Sequence, residues 1–260
     1  MTAQVLGVIP ARLGSARLPR KPLHPIAGRP LIEWVWRRAA ASGVFDALVV
    51  ATDAAEVAEI ARGFGAAVEM TREDHPSGTD RVAEVARRPE YRGFGVIVNV
   101  QGDEPFVRAD HLESAVALVR DGGWDVGTIA TPVGHAGEWR EAAVVKVVRG
   151  GDGRALYFSR APIPFPRDAE PDFNTGAYLR HVGIYAYTRG ALLRWVSLPE
   201  SELERIEKLE QLRALAAGLK IGVAVGERAE GGVDTPADAH RAERIILESQ
   251  APPALERART

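Results

Sequence analysis

The segment at residues 10–21, PARLGSARLPRK, carries four cations and no acid. It follows a short β-branched run, so in an open α/β sheet it would lie beyond the carboxyl end of a strand, where loops and helix N-termini bind ligands. Cations added to such a loop suit a polyphosphate. A charge run is more often a solvated surface loop, but flexible Gly14 and Ser15, stiffening Pro19 and this place in the fold favour binding. The phosphate-loop pattern GxxxxGK[ST] and a complete GxGxxG are absent, which argues against a standard ATPase or a Rossmann dehydrogenase.

A polar cluster, NVQGDEP, ends a later apolar run at residues 99–105. Polar side chains at the carboxyl end of a strand are costly to bury unless they bind something. Asp103 could hold a hard cation such as Mg²⁺, which needs only one or two carboxylates beside phosphate oxygens and water. The same Gly-Asp-Glu-Pro sequence is equally good turn chemistry. A second carboxylate could come from GVDTP, where Asp234 or Thr235 could equally be a plain N-cap before Pro236.

Three further groups keep an ordinary structural interpretation when each is taken alone. HPSGTDR at residues 75–81 leads into an amphipathic run, and helix capping explains its polar residues. His181 begins a predicted strand, where a lone histidine is more often packed or exposed than catalytic. Glu207, Glu210 and Gln211 share one helical face by their spacing, and such a face usually meets solvent.

The elements that must position these residues alternate between strand and helix over the first 130 residues. Apolar strand-like runs at residues 5–9, 47–51, 96–100 and 126–130 are separated by helical patterns of about ten residues. This alternation indicates βαβ units and a mostly parallel sheet. We therefore expect an α/β protein with a three-layer, Rossmann-like fold.

After about residue 140 the pattern changes. Four prolines between residues 162 and 174 exclude a helix interior there, and we expect this segment to pass over a site or a partner subunit. Residues 201–217 are expected to form one long helix. Its apolar stripe would consist of Leu203, Ile206, Leu209 and Leu212.

Composition and charge limit the partners. The chain has 260 residues, and 33 Lys and Arg against 35 Asp and Glu give a formal charge of −2, so a general nucleic-acid coat is excluded. The absence of Cys removes disulfides, thiolate catalysis and Cys-ligated zinc. No stretch approaches 18 apolar residues, and no basic n-region precedes a long apolar core. We expect a cytoplasmic protein with no membrane span and no nucleic-acid partner.

Taken together, these motifs closely resemble the 3-deoxy-manno-octulosonate cytidylyltransferases, also called CMP-Kdo synthetases. The likeness runs from about residue 8 to about residue 238. It rests on IPARLGSARLPRKPL, HPSGTDR, NVQGDEP, ALYFSRAPIP, RHVGIYAY, LEQLR and GVDTP, in this order. Several ordered motifs at proper separations are far more specific than any single motif. The CMP-sialic acid synthetases share the basic loop in variant form, but they look less like HPSGTDR, FSRAPIP and LEQLR.

The resemblance implies a dimeric, Mg²⁺-dependent nucleotidyltransferase of the GT-A type that joins CTP and Kdo into CMP-Kdo, for lipopolysaccharide synthesis, and releases pyrophosphate. By this likeness the catalytic residues are Arg12, Lys21, Asp103 and Asp234, with the two aspartates as metal ligands. The implied nucleotide-binding residues are Pro10, Ala11, Arg12, Ser15, Arg17, Lys21, Ser77, Gly78, Arg81 and Gln101. The implied residues facing the sugar acid are Gln101, Arg160, His181, Tyr185, Glu210 and Gln211.

The predicted domain organisation is one nucleotidyltransferase domain at residues 1–250. Its nucleotide half would comprise about 1–135 and 219–250, and a smaller sugar-binding and dimerisation lobe would comprise about 136–218. Residues 251–260 are expected to be a C-terminal tail.

The sequence also departs from the family pattern and leaves rival functions open. Arg20 stands where the family often has Gly, and Phe165 where it often has Trp. The rivals are a cytidylyltransferase for 8-amino-Kdo or sialic acid, a non-catalytic nucleotide-binding module on the same scaffold, and an RNA-binding protein. Paired candidates Asp103 and Asp234 favour catalysis, and the basic loop lacks the interleaved aromatic residues of RNA-binding surfaces.

Overall fold

The computed structural model describes residues 3–15 and 17–250, with Gln250 described by its backbone only. The predicted tail at 251–260 lies outside the described residues. The strands in chain order are β1 Val5–Ala11, β2 Pro25–Ile26, β3 Arg29–Pro30, β4 Ala47–Thr52, β5 Ala67–Met70, β6 Val96–Asn99, β7 Val126–Pro132, β8 Lys146–Arg149, β9 Ala155–Ser159, β10 Leu179–Thr188 and β11 Ile221–Val225. The helices are α1 Leu31–Ala41, α2 Ala55–Gly63, α3 Gly78–Arg87, α4 Ala109–Arg120, α5 Ala136–Arg140, α6 Arg189–Trp195, α7 Glu202–Glu207, α8 Gln211–Ala216 and α9 Pro236–Gln250.

The large sheet has the strand order β11-β7-β10-β6-β1-β4-β5. Strand β1 pairs in parallel with β4 and β6, β4 with β5, and β7 with β11, while β10 runs antiparallel to β6 and β7. The predicted mostly parallel α/β sheet is therefore confirmed. Strand β1 is two residues longer than the predicted run, because Pro10 and Ala11 still pair with Ala51 and Thr52 of β4.

Alternate side chains of β1 enter two apolar layers, one on each face of the sheet. Val5 and Ile9 belong to a buried cluster with residues of α1, α2 and α4. Leu6 and Val8 belong to a second cluster with residues of α3, α6 and α8. Successive residues of a strand point to opposite faces, so this alternation produces the predicted three layers of helix, sheet and helix.

The β8–β9 hairpin extends the sheet beside the first part of β10. Leu179 and Arg180 at the start of β10 pair with β8, and a bulge at 182–185 precedes the pairing with β6. Lys146 of β8 is fully buried, and its ammonium group donates hydrogen bonds to three backbone carbonyls. The predicted sugar-binding lobe thus continues the central sheet, while the proposed division into halves stays a prediction.

The expectation of one long helix at 201–217 is wrong. Ser201 starts α7 with a capping box, but Lys208 has a left-handed backbone (φ 54°) and separates α7 from α8. A left-handed residue ends an α-helix and redirects the chain. The predicted apolar stripe is divided accordingly: Leu203 and Ile206 are 43% and 69% exposed, whereas Leu209 and Leu212 are buried.

Helix α9 covers the base of the basic loop rather than the sheet. Its residues Ala239, Ala242 and Ile246 are buried with Leu18 of that loop and Trp34 of α1. Within residues 3–15 and 17–250, every helix is too short or too polar to cross a membrane.

Candidate active site

The basic loop leaves β1 at Ala11 and is anchored by Leu18, which is buried. The Leu18 backbone N–H donates a hydrogen bond to Ser15 Oγ at 3.3 Å. Arg20 has a left-handed backbone with φ of 55°, a conformation that glycine adopts without a steric penalty. A glycine at this position, as the family resemblance would lead one to expect, would avoid that penalty. Arg20 also forms an ion pair with Glu56 of α2.

Lys21 joins the two aspartates that the sequence singled out. Asp103 follows β6 and Asp234 precedes α9. Lys21 Nζ lies 2.5 Å from Asp103 Oδ2 and 2.7 Å from Asp234 Oδ1. Arg17 Nη2 lies 3.0 Å from the same Asp234 oxygen. The backbone brings the aspartates together as well, since the Val233 N–H donates to the Asp103 carbonyl at 2.8 Å.

The donor set around Lys21 is compatible with a divalent ion. Two carboxylate oxygens converge on one cation, so the ammonium occupies a position that a metal ion could take. Groups of three or more His, Cys, Asp and Glu that could hold a metal are absent from the described residues. Mg²⁺ accepts such a site, because it usually keeps several waters and takes substrate phosphate oxygens beside one or two carboxylates. Asp103 and Asp234 therefore fit the predicted ion.

Protonation states follow from burial and neighbouring charges. Burial would lower the pKa of the Lys21 ammonium, but Asp103 and Asp234 raise it above its ordinary value. Burial, together with the charge of Asp103, raises the pKa of neighbouring Glu104 to about 8. The Glu104 carboxylate lies against the segment that contains Gly232. Its Oε1 is only 3.0 Å from the position that a Cβ on Gly232 would occupy. Burial and the charge of Asp103 both favour the neutral form of Glu104 over its carboxylate.

The two aspartates border an open cavity of about 370 Å³, a size typical of small-molecule sites. All ten predicted nucleotide-binding residues and both predicted metal ligands line it. The full lining consists of Pro10, Ala11, Arg12, Gly14, Ser15, Arg17, Lys21, Pro22, His75, Ser77, Gly78, Arg81, Gln101, Gly102, Asp103 and Asp234. Four cations against two carboxylates make this cavity attractive to an anion.

The N-terminus of α3 forms one wall of the cavity. Ser77 is its N-cap, and Ser77 Oγ accepts a hydrogen bond from the Asp80 N–H at 3.2 Å. Gly78 approaches Pro10 so closely that an added Cβ would lie 3.4 Å from the Pro10 ring. The capping interpretation of HPSGTDR is thus correct, and four residues of the motif also line the cavity: His75, Ser77, Gly78 and Arg81.

Arg81 is a nearly buried arginine in the cavity wall, with a side chain only 3% exposed. Its Nη2 lies 3.2 Å from Asp53 Oδ1 at the end of β4, and its Nη1 donates to Thr71 Oγ1. A guanidinium offers only donors, and these two partners fix its orientation. No sequence signal assigned Asp53 or Thr71 to the site, because each belongs to a segment without a recognisable motif.

His75 is a further cavity residue to which the sequence analysis gave no role. Its Nε2 lies 2.5 Å from Glu84 Oε2. Burial would raise the pKa of the Glu84 carboxyl, but hydrogen bonds from Arg72, His75 and Arg88 lower it. The HPSGTDR motif could have pointed to His75, because this residue is its first member. Helix capping, however, explained the motif without a role for His75.

Of the six residues predicted to face the sugar acid, only Gln101 lines the cavity. Arg160 lies at the end of β9, and its guanidinium donates to three backbone carbonyls, those of Glu207, Lys208 and Ala142. Three of the five N–H donors of Arg160 are thus directed at the chain itself. A sugar carboxylate would have to compete with those carbonyls or use the two remaining N–H groups.

His181 and Tyr185 lie on β10, where Tyr185 is buried and His181 is partly buried. His181 Nε2 is 2.8 Å from Thr128 Oγ1, and its ring packs against Phe158 and Tyr185. Burial lowers the pKa of His181 to about 3, so its imidazole is neutral at physiological pH. Burial also raises the pKa of the Tyr185 hydroxyl. These two residues form a neutral aromatic surface rather than a charged one.

Glu210 connects the LEQLR segment to the wall of the cavity. Its carboxylate accepts hydrogen bonds from Ser77 Oγ at 3.1 Å and Thr79 Oγ1 at 3.2 Å. Burial raises the pKa of Glu210, although these hydrogen bonds oppose the rise. The neighbouring Gln211 is buried. The usual solvent-facing interpretation of this helical face is therefore wrong, because α8 begins after the break at Lys208 and turns both residues inward.

The fold and the site define a nucleotide-binding α/β protein. A family model described as Cytidylyltransferase matches residues 6–221. The 3-deoxy-manno-octulosonate cytidylyltransferase of Gemmatimonas aurantiaca is 54% identical over 239 residues, covering 92% of this chain and 92% of that protein. The protein of the same name from Syntrophotalea carbinolica is 47% identical over 245 residues, covering 92% of this chain and 97% of that protein.

Solved structures agree. CMP:2-keto-3-deoxy-manno-octonic acid synthetase complexed with CTP is similar with a TM-score of 0.88 and 41% identity, over 95% of this chain and 100% of that chain. The 4-diphosphocytidyl-2C-methyl-D-erythritol synthase of Anaerococcus prevotii has a TM-score of 0.64 at 13% identity, which is a likeness of fold alone. The chain belongs to the cytidylyltransferase family and, within it, to the 3-deoxy-manno-octulosonate cytidylyltransferases.

Proposed function

We propose that this protein transfers CMP from CTP to Kdo, giving CMP-Kdo and pyrophosphate. The observation that carries the proposal is that one cavity gathers the basic loop, the N-terminus of α3 and both aspartates. The names of the close relatives and the CTP complex of the similar structure support it. The product would serve lipopolysaccharide synthesis in the cytoplasm, as expected from the family resemblance and the sequence.

The reaction is a displacement at the α-phosphate of CTP by the anomeric hydroxyl of the sugar. In such transfers the protein mainly positions the reactants and stabilises charge. Arg12, Arg17 and Lys21 line the cavity as cations, and their task would be to bind the triphosphate and to stabilise the charge that develops on departing pyrophosphate.

Arg81 favours cytosine over uracil on chemical grounds. Cytosine presents two adjacent acceptors, O2 and unprotonated N3, whereas uracil carries a proton on N3. Arg81 offers only donors and is fixed by Asp53 and Thr71. A donor held in this way would leave a uracil N3–H facing another N–H, which disfavours UTP.

Asp103 and Asp234 are the residues that would hold Mg²⁺. The ion, when bound, would polarise the α-phosphate and lower the pKa of the attacking hydroxyl. Lys21 would leave the two carboxylates and turn to the triphosphate, because its position between Asp103 and Asp234 is the position that the ion needs.

On the sugar side, we propose that Gln101 and Glu210 lie nearest to the bound sugar acid. Gln101 lines the cavity, and Glu210 accepts a hydrogen bond from Ser77 in its wall. Arg160 would bind the sugar carboxylate bidentately after releasing its three carbonyls. We also propose a homodimer formed through the 136–218 lobe. Leu156 and Phe165 of that lobe are 51% and 77% exposed, and exposed apolar residues of this size favour association.

Pyrophosphate release tests the proposal when CTP, UTP, ATP and GTP are each offered with Kdo, 8-amino-Kdo and sialic acid. We expect release with CTP and Kdo. Asp103→Asn should lower the rate by about 100-fold or more, in line with the loss of a metal ligand and its charge. Asp168→Asn is the matched control, because Asp168 is exposed and pairs only with its neighbour Arg167 among the described residues. Faster pyrophosphate release with another sugar acid would replace Kdo as the proposed substrate. The absence of pyrophosphate release with every pair of nucleotide and sugar acid would refute the proposal.

A further inference from the structure

Asp238 does not line the cavity, yet its carboxylate holds the backbone around Asp234. It lies in the first turn of α9, and its Oδ2 accepts hydrogen bonds from the Asp234 N–H at 3.2 Å and the Thr235 N–H at 3.0 Å. The Thr235 hydroxyl donates to the same oxygen at 2.8 Å. Three donors from two consecutive residues thus converge on one oxygen.

The other oxygen of Asp238 extends this contact further back along the chain. Arg241 Nη1 donates to Asp238 Oδ1 at 2.6 Å, and Arg241 Nη2 donates to the Gly232 carbonyl at 3.3 Å. A planar guanidinium can bridge two acceptors in this way. Asp238 and Arg241 together therefore fasten residues 232–235 to the first turn of α9.

This arrangement exceeds what helix capping needs. In a capping box the N-cap side chain and the side chain three residues later satisfy each other's backbone N–H groups. Thr235 and Asp238 do this, since the Asp238 N–H also donates to Thr235 Oγ1 at 3.2 Å. The Asp234 N–H and the Gly232 carbonyl lie before the helix, so the contacts to them serve the loop and not the helix.

The opposite side of the same loop is attached to the segment that carries Asp103. The Val233 N–H donates to the Asp103 carbonyl at 2.8 Å, and Val233 is fully buried. Gly232 lies so close that an added Cβ would be 3.1 Å from the Asp103 carbonyl. Residues 232–235 are therefore held between the Asp103 segment and α9, and both attachments decide where the Asp234 carboxylate lies.

We propose that Asp238, acting with Arg241, is a positioning residue that sets the placement of Asp234 relative to Asp103. This inference rests on the proposed function, in which the two carboxylates share one divalent ion. Such an ion requires both carboxylates at the correct separation. Outer-shell partners of metal ligands typically change metal affinity or activity by about 10–100-fold when they are mutated.

The test is the binding of Mn²⁺, a spectroscopic substitute for Mg²⁺, to the enzyme with CTP bound, followed by electron paramagnetic resonance. Asp238→Asn keeps one acceptor but turns an NH₂ group toward either Arg241 or the loop N–H groups. We expect Mn²⁺ affinity to fall by about tenfold or more, with a matching rise in the Mg²⁺ concentration for half-maximal rate. The KM for CTP at saturating Mg²⁺ should change by less than about threefold, because Asp238 does not contact the cavity lining except through the Asp234 backbone.

Glu243→Gln is the matched control on the same helix. Glu243 Oε1 accepts a hydrogen bond from the Ala27 N–H at 3.0 Å and so attaches α9 to the turn between β2 and β3, away from residues 232–235. Thermal unfolding should report comparable folding of both variants, and Glu243→Gln should leave Mn²⁺ affinity unchanged. Equal shifts in the two variants, or unchanged affinity in Asp238→Asn, would overturn the inference. Asp234→Asn separates the two proposals: unchanged Mn²⁺ binding in that variant would remove the proposed metal site itself.

Discussion

Replacing Lys21 by methionine should tighten metal binding to the nucleotide-free protein while it impairs catalysis. Methionine keeps most of the apolar stem but removes the ammonium that bridges Asp103 and Asp234. In the native protein, a divalent ion must displace this ammonium before it reaches both carboxylates. Metal affinity without CTP is therefore reduced by a competitor that belongs to the chain.

The size of the effect follows from the ion pairs. Two unit charges about 4 Å apart attract by about 4 kcal/mol at an effective dielectric constant near 20. The side chains of Asp103 and Asp234 are 34% and 47% exposed, and screening at such exposure reduces each pair to about 1 kcal/mol or less. Removing the ammonium should therefore favour a competing cation by about 1–2 kcal/mol, which is about a tenfold lower Kd.

Mn²⁺ titration without CTP, by calorimetry or electron paramagnetic resonance, measures this change directly. Lys220→Met is the control, because Lys220 is exposed and also loses one positive charge. We expect tighter Mn²⁺ binding in Lys21→Met and no change in the control. Lys21→Met should also bind CTP more weakly than native protein does. Its affinity for CMP should fall much less, because Lys21 is assigned to the triphosphate. Weaker or equal Mn²⁺ binding without CTP would refute the competition between ammonium and metal.

Two further predictions concern the nucleobase and His181. Asp53→Asn should raise the KM for CTP by about tenfold and reduce the preference for CTP over UTP, because Arg81 loses its ion-pair partner at 3.2 Å. Steady-state kinetics with both nucleotides measure this change. An equal preference for CTP over UTP in native and variant protein would contradict it. His181→Gln should reduce the loss of stability on acidification. Because burial lowers the folded-state pKa of His181 from 6.5 to about 3, its contribution to the free energy of unfolding is complete above pH 6.5 and is lost as the pH falls toward 3. Urea unfolding at pH 7 and pH 4.5 checks this, and parallel losses in native and variant protein would contradict it.

The convergence of the predicted nucleotide-binding residues on one cavity could be predicted from the sequence, because these residues lie in short motifs at strand ends and helix starts. The basic loop follows β1, HPSGTDR precedes α3, and Asp103 follows β6. Parallel strands bring their carboxyl ends and the following helix starts to one edge of a sheet. A local sequence pattern is enough to locate each of these strand ends and helix starts. The ten predicted nucleotide-binding residues consequently line one cavity.

The remaining features depend on contacts that no local pattern encodes. Lys21 lies 82 and 213 residues from the aspartates that it joins, and its charge suggested a phosphate ligand rather than a carboxylate bridge. The break at Lys208 needs a left-handed backbone at a residue that usually favours helix, so periodicity alone predicted one long helix. Arg160 was expected to face the sugar, but three of its five N–H donors bind nearby backbone carbonyls.

We propose above that Lys21, Asp103 and Asp234 form one site for the nucleotide and the metal ion. A crystal structure of the protein with CTP and Mn²⁺, with anomalous scattering used to locate the metal, tests this most directly. We predict a metal peak within coordination distance of both carboxylates, with Lys21 moved onto the triphosphate. A metal bound by CTP alone, with Lys21 still between the aspartates, would contradict the claim.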